Sequence, residues 1–205
     1  MARTLKYAFR ITHIQNVPHV LRCGLVRAGS PQSDPSYVPI GDRQVIRLRE
    51  ERTLAGHKIS DYVPFYLGPR SPMLYVIQHG YNGVIRVDPE QIVYCVIRLD
   101  DIINADIDCV FTDGHALSSI TNVYGKDRLP EIDTLVKMED VYSSQWISET
   151  DIDLKRRKEA ELLVRGDLPA AFVKGFAVYN EAARQKMEQM GVAPKRIVVK
   201  PDYYF

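Results

Sequence analysis

No apolar run in this sequence approaches the roughly 20 residues that a membrane-crossing helix needs, so a spanning helix is not expected. Charges interrupt the opening stretch MARTLKYAFRIT, which has no apolar h-region, so no secretory leader is expected. Cysteine is scarce. Cys23, Cys95 and Cys109 are odd in number, far apart and flanked by apolar residues. That pattern predicts buried thiols in a reducing cytosol rather than disulfides or a zinc site. His13, His19, His57 and His79 have no metal-ligand spacing, and no metal is expected. The motifs GxxxxGK[ST], GxGxxG, HExxH and CxxC are all missing, which removes the commonest nucleotide and metal sites. Repeats, low-complexity tracts and long linkers are missing as well. The net charge is only +1, so no nucleic-acid partner follows from the total.

What remains suits one soluble domain over residues 1–205. The chain is 45% hydrophobic and 26% charged, and long enough to bury a sizeable core. Short strands are predicted at LKYAFRIT (5–12), QIVYCVIRL (91–99), CVFTD (109–113), EAELLVR (159–165), GFAVYN (175–180) and RIVVK (196–200). DYVPFYLGPRSPMLY (61–75) reads as an aromatic strand and a turn, then a helix opened by Ser71 and Pro72 and stopped near Gly80. Asn16 and Pro18 open a helix that ends at Gly24. DRQVIRLREER (42–52) has a helical pattern, and EAARQKMEQMG (181–191) is a helix stopped by Gly191. Residues 28–40, rich in Pro and Ser, form a loop. The strands do not alternate regularly with long helices, so the fold class is α+β rather than a doubly wound sheet.

Charge is unevenly spread. Arg43, Arg47, Arg49 and Arg52 lie close together, and Lys155, Arg156, Arg157 and Lys158 are consecutive. Such blocks either hold phosphate or form solvated helix faces. In EAELLVR, a strand puts Ala160, Leu162 and Val164 on a core face and Glu159, Glu161, Leu163 and Arg165 on the other. A carboxylate at Glu161 is then exposed, paired with a cation, or lining a cleft. FRITH turns Arg10 and Thr12 to one face, which suits a phosphate and ribose, or else the polar side of an edge strand. The aromatics of DYVPFY, followed by Arg70 and Met73, make either a base-stacking platform or a small aromatic core. His115 sits in a Gly-containing loop after a strand, where histidines are ordinarily surface residues.

Six segments, in order, carry a resemblance: FRITHIQNVPHVLRCGL, IGDRQVIRLREER, DYVPFYLGPRSPMLY, FTDGHA, KRRKEAELLV and AVYN. Together they resemble DarT, the family of bacterial DNA ADP-ribosyltransferase toxins. The resemblance implies an ADP-ribosyltransferase fold, a split β-sandwich with NAD+ in a cleft. It implies transfer of ADP-ribose from NAD+ to a base, usually thymidine, within a short motif of single-stranded DNA. It also implies a DarG antitoxin partner whose macrodomain removes the modification, and a role in toxin–antitoxin systems and phage defence. Glu161 and Arg49 fall on the family's catalytic glutamate and arginine. Arg10, Ile11 and Thr12 fall on first-strand nicotinamide and ribose contacts, and His19 on a further NAD+ contact. The loop and helix from about Gln32 to Glu51 would close over NAD+, and the stretch from His115 to Glu161 would present the DNA. Tyr66, Met73, His115 and Lys155 match positions near the target nucleotide, and Arg70 belongs to the same block as Met73. Glu159 stands where many transferases choose their acceptor. Some members have His at the position of Arg10, and Phe9 replaces a common Tyr. A monomer in the bacterial cytoplasm is expected.

The chemistry is coherent. Breaking the bond between nicotinamide and ribose C1′ builds positive charge on the sugar, and a carboxylate bonded to the 2′-hydroxyl stabilises it. The basic run before Glu161 would neutralise DNA phosphates. The family's proposed base is the arginine at Arg49. That role requires its cation to be disfavoured by burial or by Arg47 and Arg52, against the opposing pull of Glu50 and Glu51. Otherwise Arg49 holds the thymine carbonyl and NAD+. Two alternatives stay open. An RNA-directed ADP-ribosyl- or 2′-phosphotransferase of the same superfamily would share the fold, although a 2′-phosphotransferase would be more basic and lacks PRSPMLY. A non-catalytic NAD+ or nucleic-acid sensor would not need both Glu161 and Arg49.

Overall fold

The computed structural model describes residues 4–205; the first three residues of the stretch read for a leader lie outside them. In chain order the strands are β1 (Tyr7–His13), β2 (Thr53–Leu54), β3 (His57–Lys58), β4 (Tyr62–Tyr66), β5 (Ile92–Arg98), β6 (Cys109–Thr112), β7 (Val123–Gly125), β8 (Glu161–Arg165), β9 (Val173–Val178) and β10 (Ile197–Val199). The helices are α1 (Val17–Cys23), α2 (Arg43–Glu51), α3 (Pro72–His79), α4 (Leu99–Asn104), α5 (Ile132–Leu135), α6 (Met138–Val141), α7 (Leu154–Lys158) and α8 (Glu181–Gln189).

Eight strands form one sheet in the order β10-β9-β5-β1-β4-β8-β6-β7, and β2 and β3 form a separate hairpin. β1 pairs with β5 along its whole length, and β4 pairs with β8 along its whole length, both antiparallel. The two four-stranded halves meet at a single register pair, Phe9 with Tyr66. The ladder does not continue beyond this pair, and the Arg10 guanidinium donates to the Pro64 carbonyl at 3.2 Å. This seam splits the sheet into its two halves.

Alternation sorts the side chains. Ala8, Phe65, Val93, Phe111, Leu162, Val164 and Phe176 share one continuous core across both halves. On the other face, Phe9 and Tyr94 pack against Leu74 and Ile77 of α3. Tyr62, Val110 and Leu163 pack against Leu54 and Ile59 beside the hairpin. The aromatic-core reading of DYVPFY therefore holds for Tyr62 and Phe65, both buried.

Local signals fix several helix ends. The Ser71 hydroxyl accepts from Leu74 N, Pro72 occupies the first turn, and Gly80 takes the left-handed conformation (φ 71°) that ends α3. Asp42 caps α2 through Gln44 N at 2.7 Å. α2 has no buried residue, so it lies against the body as a flap rather than a core helix.

One boundary departs from expectation. The strand predicted from Glu159 begins at Glu161, because Glu159 (φ −92°, ψ 22°) still caps α7 through Arg156 O. Glu159 and Glu161 are therefore not neighbours on one strand face. α4 was hidden at the end of an apolar strand, and Asp100 and Asp101 in its first turn favour a helix start there.

Candidate active site

β8 turns Leu162 and Val164 into the core that Ala160, just before it, also joins, and leaves Glu161 on the opposite face, as the alternation predicts. The Glu161 side chain is 2% exposed and pairs with Arg49, itself 14% exposed. Arg49 Nη2 donates to both carboxylate oxygens at 2.7 Å. Ala116 N donates to Glu161 Oε1 at 3.0 Å. Among the described residues Oε2 has only the arginine, which leaves it lone-pair capacity for a substrate hydroxyl. Arg49 Nη1 is buried without a partner among the described residues, an orphan donor at the floor of the cleft. Behind Glu161, Thr112 Oγ1 accepts from Glu161 N at 3.1 Å and donates to Gly114 O at 2.7 Å, which locks the strand to the His115 loop.

Burial works against the Arg49 cation, but the Glu161 carboxylate outweighs it and its pKa is raised. The condition for Arg49 to act as a base is therefore not met in this pairing: the guanidinium is a firmly held cation. Burial also holds the Tyr66 phenol protonated, with Glu159 and Glu161 pushing the same way. Burial lowers the His115 pKa, so its imidazole is neutral at pH 7. His115 Nδ1 accepts from Leu117 N at 3.3 Å, which places the ring proton on Nε2.

Two cavities open along the seam, of about 180 and 470 Å³. They share Arg10, Tyr37, Pro39, Ile46, Arg49 and Pro64, so they form one continuous cleft. Ile11, Tyr66, Met73 and Glu161 line the smaller end, and Thr12 and His19 the larger. The cleft roof is the loop before α2, held by a residue read from the sequence only as a helix start. Asn16 Nδ2 donates to Thr12 Oγ1 and to Val38 O, both at 2.9 Å, and Asn16 Oδ1 accepts from Val38 N at 2.9 Å. His19 Nε2 also meets Gln32 O at 2.8 Å. A buried Asn bonded to a strand and a loop 22 residues on leaves no local signal.

The basic run is corrected by the structure. Of Lys155–Lys158, only Lys155 is exposed. Arg156 pairs with Asp113 at 2.9 Å and Asp153 at 2.7 Å, and its carbonyl accepts from His115 N at 3.0 Å. Arg157 pairs with Asp140 at 2.7 Å and Asp151 at 2.6 Å. Lys158 is 1% exposed, and its ammonium donates to Pro69 O at 3.3 Å and Val141 O at 3.2 Å. Three of the four cations thus brace the site from inside, where satisfied pairs outcompete solvent. Arg70 takes a left-handed backbone (φ 54°), stacks on the Phe205 ring at 4.5 Å and has a buried Nε without a partner among the described residues. Among the described residues no cluster of His, Cys, Asp or Glu could hold a metal. Cys95 and Cys109 are buried free thiols, pushed up to about 12 by burial, and take no part in the site.

Residues 9–205 match the DarT family, described as "ssDNA thymidine ADP-ribosyltransferase, DarT". The chain belongs to the DarT family. A DarT relative from Escherichia coli O127:H6 (strain E2348/69 / EPEC), named DNA ADP-ribosyl transferase, is 32% identical over 186 residues, covering 88% of this chain and 84% of that protein. The structure of Thermus sp. 2.9 DarT in complex with ADP-ribosylated ssDNA matches with a TM-score of 0.84 at 27% identity, over 100% of both chains. The same DarT in complex with NAD+ matches with a TM-score of 0.77. A Thermosipho africanus (strain H17ap60334) relative, named a DNA ADP-ribosyl transferase–DNA ADP-ribosyl glycohydrolase fusion protein, is 26% identical over 96% of this chain and 48% of that protein. The likeness to solved DarT structures also bears out the α+β ADP-ribosyltransferase fold.

Proposed function

We propose that this chain transfers ADP-ribose from NAD+ to a thymine in single-stranded DNA and releases nicotinamide. The observation that carries the reading is the buried Glu161–Arg49 pair at the floor of the cleft, with Arg49 Nη1 free. The cleft suits NAD+: Arg10, Thr12 and His19 offer polar groups along it, and Ile11 and Met73 an apolar wall. Glu161 Oε2 accepts the ribose 2′-hydroxyl and stabilises positive charge developing at C1′. Arg49 releases part of its grip on Glu161 and holds a substrate oxygen through Nη1. Tyr66 and Met73 line the smaller end of the cleft, where the target base enters, and Arg70, His115 and Lys155, outside the cleft lining, guide the strand. Closure of α2 excludes water from the reacting sugar.

DNA and NAD+ meet in the bacterial cytoplasm, where the chain acts as a monomeric toxin. A DarG-type glycohydrolase would reverse the modification, and the fused relative supports that pairing. The test incubates the protein with NAD+ and a random single-stranded DNA pool, beside matched RNA, and measures a mass gain of one ADP-ribose. Modified DNA that vanishes in Glu161→Gln supports the reading, and sequencing the modified pool gives the motif. Transfer to RNA alone, or to neither, refutes it.

A further inference from the structure

The transfer leaves one step without an actor. The ring nitrogen of thymine that attacks C1′ carries a proton, and that proton must go to a base. The groups around Glu161 narrow the choice. Arg49 is a paired cation, bound through Nη2 to both carboxylate oxygens. Tyr66 is held as a neutral phenol, so it donates rather than accepts. His115 spends Nδ1 on Leu117 N and carries its proton on Nε2, which again makes it a donor. Glu161 is engaged by Arg49 and Ala116 and is needed at the ribose. Lys158 is buried on the Pro69 and Val141 carbonyls, and Lys155 lies on the exposed side of α7.

Glu159 remains. It is half-buried at the end of α7, two residues before Glu161, and its carboxylate makes no hydrogen bond or ion pair among the described residues. It lies within electrostatic reach of Glu161 on β8, Arg49 on α2, Lys155 and Lys158 on α7, and Tyr66 on β4. Its departure from the strand is what frees it: the capping turn keeps it off the sheet ladder, whereas Tyr66 pairs with Glu161 there.

Resting on the DNA-transfer reading above, we propose that Glu159 is the general base that removes the ring N–H proton of the target thymine as its nitrogen attacks C1′. The N–H bond breaks and the proton passes to the Glu159 carboxylate. The freed electron pair forms the new nitrogen–C1′ bond. The C1′–nicotinamide bond breaks, and its electron pair leaves with nicotinamide, which departs neutral. Nothing is oxidised or reduced. Burial pushes Glu159 up to about 7, with Glu161 adding to the rise and Lys155 opposing it. A base titrating there is matched to work near neutral pH.

The experiment compares wild type with Glu159→Gln on two otherwise identical oligonucleotides. One carries thymine at the target and the other 5-fluorouracil, whose electron-withdrawing fluorine makes the ring N–H more acidic. Wild-type transfer to the thymine strand establishes the underlying reaction; its absence defeats the DNA reading and leaves no substrate for Glu159. Given that transfer, wild type loses rate as pH falls below about 7, because protonated Glu159 cannot accept. Glu159→Gln lowers transfer to thymine by about 100-fold or more, abolishes that acid limb, and recovers much of the loss on 5-fluorouracil. The recovery also shows that the variant is folded and binds both substrates. An acid limb that persists in Glu159→Gln, or an equal loss on both oligonucleotides, overturns the assignment.

Discussion

Replacing Lys158 with Met tests the charge logic of the segment that leads into Glu161. Lys158 is 1% exposed, and its ammonium bonds the Pro69 and Val141 carbonyls. Burial lowers its pKa to about 8, with Arg70 adding to the effect. The folded pKa lies below the unfolded one, so at pH 7 the unfolded chain holds this proton more readily and the buried charge costs stability. At about 1.4 kcal/mol per pKa unit the cost at pH 7 is about 3 kcal/mol. By pH 9.5 about 2 kcal/mol of that is relieved, because the buried amine has deprotonated while an unfolded lysine is still charged. Met is of similar length and carries no charge, so the variant lacks this dependence. Losing the two hydrogen bonds offsets the variant by about 1–3 kcal/mol, almost independently of pH. For a chain of this size 1 kcal/mol corresponds to about 2–4 °C in Tm. Thermal melts at pH 7 and 9.5 should therefore show wild type gaining about 4–8 °C relative to Lys158→Met, other titrations cancelling in the difference. Parallel Tm–pH curves for the two proteins would refute a charged, desolvated Lys158.

Arg49→Lys keeps the charge opposite Glu161 but loses the second guanidinium arm, and transfer to DNA should fall by about 10-fold or more; full activity in this variant rules out a guanidinium-specific role. Asn16→Ala removes the bonds to Thr12 and Val38. Titration calorimetry should show NAD+ binding about 10-fold weaker, and unchanged affinity means that Asn16 does not hold the cleft roof. Lys155→Ala should reduce the slope of log DNA affinity against log salt by about 1, whereas Arg156→Leu should leave that slope alone and lower Tm by about 4 °C or more, because it removes the cation that faces both Asp113 and Asp153 beside the His115 loop. The same slope change in both variants would put Arg156 on the DNA-facing surface after all.

Alternation in the sequence was enough to place Glu161 off the core, because a strand sorts its side chains by a purely local rule. Ser71, Pro72 and Gly80 likewise announced both ends of α3, since capping involves only near neighbours. The six motif segments carried the family and named the expected site residues, from Arg10 to Glu161. What the sequence could not supply was who faces whom. Arg49 and Glu161 lie 112 positions apart, and only the packing of α2 over the sheet that holds β8 brings them together. The run Lys155–Lys158 looks like a phosphate-binding strip in one dimension. The fold sets Asp113, Asp140, Asp151 and Asp153 around Arg156 and Arg157 and buries Lys158, leaving Lys155 for solvent. The same helical turn carries Glu159 off the strand. Periodicity and capping are short-range and legible in order along the chain; pairing of buried charges is long-range, and tertiary structure alone decides it.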